Sequence, residues 1–166
     1  MTPRLILLCG LLSTGVSVTA ERADLLVVEK KNNAVGFYTS SGSRAADVQL
    51  GQTPHEMVLS GDGRFDNVSD HGVLWMDYDG LGGHTLAIVD LKLRRRHGVF
   101  PLGKFYRLHG IAADPRSSRA FVTSENQIGI VSVRERNVVQ VIDTPPGSGP
   151  DPVLEIGTDT PPGIRP

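Results

Sequence analysis

Two histidines stand in matching surroundings. His55 lies in Thr53-Pro54-His55-Glu56, and His109 lies in Leu108-His109-Gly110-Ile111. Imidazole ligates metals when neutral and attracts anions when protonated. Glu56 and Glu125 offer carboxylates that could assist, and Arg107 adds a fixed positive charge beside His109. His55, Arg107, His109 and Glu125 are therefore the candidate ligand-binding residues. Two histidines without a third ligand do not make a zinc site, and His55-Glu56-Met57-Val58-Leu59 departs from HExxH at its fifth residue. Each histidine could equally brace a turn through its neighbouring backbone. Asp77 and Asp79, in Asp77-Tyr78-Asp79-Gly80, are a second candidate, for Ca²⁺, which prefers oxygen donors. The run lacks the further acids of an EF-hand loop, and Asp-Gly turn chemistry explains it as well. No cofactor other than such a Ca²⁺ ion is implied.

Other chemistries find no footing. There is no GxSxG nucleophile elbow and no glycine-rich phosphate loop. The basic run Lys92, Arg94, Arg95, Arg96 and His97 lacks interleaved aromatics for base stacking and reads as a solvated turn. The chain has 166 residues, a formal net charge of -1 and one cysteine. That balance argues against a nucleic-acid partner, and one cysteine excludes a disulfide framework within the chain.

Residues 1–20 read as a secretory signal. Arg4 gives the positive start, Leu5–Leu12 the short apolar stretch, and Val18-Thr19-Ala20 the small residues before a cut. Gly10, Ser13, Thr14 and Gly15 break the apolar run short of the ~20 residues that span a bilayer. Leu7 and Leu8 before Cys9 do not suit lipidation. The expectation is a periplasmic or secreted protein, cysteine-free once cut, with no stable membrane span.

The elements that must hold the candidates are strands. No window carries a helical apolar period; short β-rich runs recur between Gly, Asn, Asp, Ser and Pro. The expected strands are Leu25–Val28, Val35–Thr39, Ala46–Leu50, Glu56–Ser60, Val73–Tyr78, Thr85–Asp90, Gly98–Leu102, Gly110–Ala113, Ala120–Ser124, Ile128–Val133 and Val138–Ile142. They also repeat. Leu50-Gly51, His55, Arg64, Val68-Ser69 and Val89-Asp90-Leu91 align in order with Leu102-Gly103, His109, Arg119, Val122-Thr123 and Val131-Ser132-Val133. Each copy suggests about four strands, as in a propeller blade of ~40–45 residues. The first copy is longer through an insertion at Asp70–His84, between two strands. A partial copy opens at Leu25 and another begins at Val138. The expected fold is all-β: β-propeller blades of four-stranded antiparallel sheets in an incomplete ring. Its expected limits are a signal at 1–20, a partial propeller of about three blades at 21–150 and a Pro-rich tail at 151–166.

These motifs resemble the YncE-like, YVTN-repeat family of β-propellers. The resemblance rests on Thr53-Pro54-His55-Glu56-Met57, Asp62-Gly63-Arg64, Ala87-Ile88-Val89-Asp90-Leu91, Leu102-Gly103 and Phe121-Val122-Thr123-Ser124. The chain departs from the pattern at Leu108, where a proline before histidine is usual, and at Phe65-Asp66-Asn67-Val68, which is polar where an apolar strand is expected. The resemblance implies a propeller fold and says little about activity. It implies an exported binding or interaction module with an unknown ligand or protein partner. The alternative it offers is a lactonase-like hydrolase with His55 and His109 as base or metal ligands. Three blades do not close a ring of the usual size, which points to a truncated fragment or a homo-oligomer.

Overall fold

The structure, a computed structural model, describes residues 22–75, 79–124, 127–135 and 137–143. Within these residues the strands are β1 (Leu25–Glu29), β2 (Ala34–Tyr38), β3 (Arg44–Gln49), β4 (Pro54–Leu59), β5 (Phe65–Asp70), β6 (Thr85–Asp90), β7 (Arg95–Pro101), β8 (Ile111–Ala113), β9 (Arg119–Ser124), β10 (Gln127–Ser132) and β11 (Asn137–Asp143). They form three antiparallel sheets in which every strand pairs with its sequence neighbours: β1-β2-β3, β4-β5-β6-β7 and β8-β9-β10-β11. The all-β, blade-like reading holds, and no closed ring is seen among the described residues. The first sheet has three strands. By the repeat alignment β1 and β2 match β9 and β10, so the counterpart of β4 and β8 is not among the described residues.

Shared turn chemistry produces the meanders. After β4, the Asp62 carboxylate accepts the Ser60 hydroxyl at 2.6 Å and the Arg64 backbone N–H at 3.0 Å. After β8, the Asp114 carboxylate accepts the Ser117 hydroxyl at 2.6 Å and the Arg116 N–H at 2.9 Å. A short acidic side chain thus folds each connection back on itself. These bonds favour the charged form and hold both carboxyl groups below their ordinary pKa.

The core lies between sheets. Leu86 and Ile88 of β6 face the third sheet, packing with Phe100, Ile111, Ala120, Val122 and Val131. Ala87 and Val89 face the first sheet, meeting Val35, Phe37 and Val48. Both faces of β6 are covered, which explains its unbroken apolar run. Leu108, out of pattern in the sequence, is a core residue of the second junction.

Two expectations need correction. The expected strand Val73–Tyr78 is not formed at residues 73–75, which lie in the β5–β6 connection; 76–78 fall outside the described residues. Gly72, at φ +73°, turns the chain away from the ladder just after β5. The strand list also passed over β5 because Asp66, Asn67, Ser69 and Asp70 are poor strand formers. All four are buried, paired between β4 and β6. Val138 lies in β11, the last strand of the third sheet and the counterpart of β3 and β7, at whose ends the two full copies open. The expected signal at 1–20 and the tail at 151–166 lie outside the described residues.

Candidate functional site

The junction of the second and third sheets brings His55 and His109 together. β4 and β8, the first strand of each sheet, lie against each other. His55 sits near the start of β4, and His109 just before β8. Two ladder-like bonds extend β8 backward to His109: the His109 N–H donates to the Thr123 carbonyl and the Thr123 N–H to the Gly110 carbonyl. The two imidazole rings stand 3.7 Å apart, centroid to centroid.

The sequence motif supplies a third donor. Glu56 Oε1 lies 3.5 Å from His109 Nδ1 and 4.0 Å from His55 Nδ1. One ligand atom from each of His55, Glu56 and His109 falls in a group whose members all lie within 4.8 Å of one another. Both rings are largely covered, while the carboxylate is near solvent.

A third ring comes from the β5–β6 connection. His71 follows β5, and its ring lies 5.1 Å from that of His55 and 5.5 Å from that of His109. It is fully buried, at 0% exposure, and neither ring nitrogen completes a hydrogen bond. A buried polar group in that state costs about 1–3 kcal/mol. Burial is the main cause holding its pKa below the usual histidine value, with Lys30, His109 and Arg107 adding positive charge nearby; the Leu108 backbone opposes weakly. Burial thus favours the neutral form of the His71 imidazole, the form that ligates metals.

Hydroxyls fix the backbone of the site. Ser69 Oγ donates to the His109 carbonyl at 2.8 Å and accepts the Glu56 N–H at 3.1 Å. A single hydroxyl proton serves one strong acceptor, so the Glu56 carbonyl at 3.3 Å is the lesser partner. In the next repeat Thr123 Oγ1 accepts the Gly110 N–H at 2.8 Å in the corresponding way.

The other candidates fall as follows. Arg107 is spent on the β5–β6 connection: its N–H donates to the Gly83 carbonyl and its Nη2 to the Gly80 carbonyl at 3.0 Å. Glu125 and Asp77 lie outside the described residues. Asp79 is exposed and belongs to no three-ligand group among the described residues. The basic run occupies the β6–β7 turn and the start of β7, mostly exposed. The sequence reading missed His71 and Ser69. A signal existed, since the alignment that pairs Val68-Ser69 with Val122-Thr123 also pairs His71 with Glu125.

At the opposite end of the same two sheets lies a cleft of about 570 Å³. Phe65, Ile88 and Val133 contribute apolar walls, and Arg116, Arg119 and Arg134 stand around it. Asn67 lines it too, its Oδ1 buried and without a hydrogen-bond partner.

No protein-family model matches the chain, and no curated protein matches its sequence. Solved structures do resemble it. The Kuenenia stuttgartiensis hydrazine synthase superposes with a TM-score of 0.60 at 14% identity, over 71% of this chain and 34% of that one. Dihydro-heme d1 dehydrogenase NirN, in complex with DHE, superposes with a TM-score of 0.53 at 14% identity, over 74% of this chain and 26% of that one. The chain thus spans about a third or less of the proteins it resembles, and at this identity the likeness is one of fold. This chain has a partial β-propeller-like fold, similar to that of β-propeller proteins.

Proposed function

We propose that this chain is part of an exported, YncE-like propeller and serves as a binding module, recognising a small ligand where His55, Glu56, His71 and His109 converge. The observation that carries the reading is the meeting of His55, Glu56 and His109 donors within 4.8 Å at a junction between two sheets. Support for export comes from the signal-like residues 1–20, and support for the family from the blade motifs around Asp62-Gly63-Arg64 and Val89-Asp90-Leu91. NirN was solved in complex with DHE, and that a propeller-like neighbour holds a ligand is in keeping with this use of the fold.

One observation favours a second reading, in which the ligand is anionic and enters the cleft. Three arginines stand around it, and guanidinium groups pair with carboxylate and phosphate oxygens.

The imidazole NMR signals of the purified chain test both. The five histidines divide by place: His55, His71 and His109 at the junction, His97 at the cleft, His84 at neither. Titration with inorganic phosphate, acetate and zinc chloride is expected to move the three junction signals with at least one titrant. Movement of His97 alone would select the cleft. No movement at any histidine would overturn the binding reading.

A further inference from the structure

We propose that His55, Glu56 and His109 hold a divalent transition-metal ion of the zinc class, with His71 supplying a fourth donor. This deepens the preceding reading and rests on it. The geometry is the first argument. Zinc ligands at about 2.0–2.2 Å around a tetrahedron stand roughly 3.3–3.6 Å from one another. The Glu56–His109 pair, at 3.5 Å, already has that separation, and the Glu56–His55 pair, at 4.0 Å, needs to close by only a few tenths of an ångström.

The donor chemistry narrows the ion. Imidazole nitrogens suit zinc, copper, nickel and iron, whereas calcium and magnesium take oxygen ligands. Three imidazoles and one carboxylate therefore select the first group.

His71 is the second, independent observation. It is wholly buried, its ring lies 5.1 Å from that of His55 and stands edge-on to that of His109, and neither nitrogen completes a hydrogen bond beyond a weak contact with the Leu108 backbone. Its donor atoms lie outside the 4.8 Å group, so ligation by His71 requires its side chain to turn toward the ion. An ion there would satisfy a nitrogen that the protein leaves bare. Supports for the ligands are also in place. Ser69 clamps the backbones of Glu56 and His109 together, and the His71 backbone is tied to Thr53 and Gly83. Metal sites depend on such outer contacts to hold their ligands in position.

The test is isothermal titration of the full chain, freed of metal by chelation, with zinc chloride at pH 7.5. The expected result is one zinc per chain at micromolar affinity or tighter. His109→Ala, His71→Ala and Glu56→Gln should each weaken binding at least tenfold, and His84→Ala should leave it unchanged. Circular dichroism checks that each variant keeps its β signal, and Glu56→Gln changes charge with little change of shape. Millimolar or weaker binding, or binding indifferent to His109→Ala and His71→Ala, would overturn the metal centre. If zinc fails while phosphate or acetate still moves the three junction histidines, the metal falls and the binding reading stands.

Discussion

The Ser69 hydroxyl reaches across the boundary between two sheets to the carbonyl of His109, at 2.8 Å. The same oxygen accepts the Glu56 N–H, so one buried atom sets the spacing of two residues of the site. Replacing Ser69 with Ala removes both bonds and leaves the Glu56 N–H and the His109 carbonyl short of a partner. The expected loss is about 1–3 kcal/mol of stability, read from urea denaturation. Ser69→Thr keeps the hydroxyl, as Thr123 does at the matching place, and should recover most of it. Equal losses for both variants would show that packing, not the hydroxyl, matters there.

Gly72 shapes the connection that carries His71. Its φ is +73°, and an added Cβ would run into the Gly83 backbone. Backbone cannot yield as a flexible side chain does. Gly72→Ala should therefore lower the melting temperature, with a cost of at least ~1–2 kcal/mol from the left-handed geometry alone. It should also shift the His71 ring signals more than those of His84. An unchanged melting temperature would show that the connection can rearrange freely.

Stability should rise, not fall, on mild acidification. Asp66 is fully buried, and neither of its carboxylate oxygens meets a side-chain donor. Burial pushes its pKa from 3.8 up to about 7, against a weaker backbone hydrogen bond at Asn67. The folded value is the raised one, so the stabilising effect of protonation is complete below pH ~4 and is lost as pH climbs through ~7. A shift of this size corresponds to about 4 kcal/mol. Burial raises Asp70 as well, giving the same sign. His71 has the opposite sign, since its lowered value costs stability as pH falls below about 6.5. Asp66→Asn separates the terms: denaturation midpoints at pH 5 and pH 8 should draw together in the variant and be furthest apart in the parent.

Leu86 is completely buried in the larger core junction, and Leu81, in the β5–β6 connection, is 70% exposed. Leu86→Ala should cost about 2–5 kcal/mol through lost transfer energy and a cavity. Leu81→Ala should cost within about 0.5 kcal/mol. Denaturant midpoints for the pair check whether the sheets truly pack through β6.

Much of the architecture was legible because strands bounded by turn residues write a period-two pattern into the chain, and because that pattern recurs. β6 was found to the residue, Thr85–Asp90, since both its faces are apolar. β5 was legible only through the repeat, which places a strand ending at Val68-Ser69, and not from its own residues, for the opposite reason. Its side chains are polar and its strand character comes from neighbours on either side, which no local pattern reports. The site was half visible. His55 and His109 announced themselves by equivalent places in the repeat. His71 did not, because its role depends on a connection turning back at Gly72 toward the paired strands. Arg107, read from the sequence as a ligand cation, braces that connection in the fold.

The hydroxyl step has one more consequence. Ser69 and Thr123 do the same work on the backbone of their repeats, yet the residue two places beyond is His71 in one and Glu125 in the other. The clamp and the functional group occupy separate addresses in the chain. The repeat therefore behaves as a socket with an exchangeable pin: the fitting stays, and new chemistry arrives by changing a single position beside it.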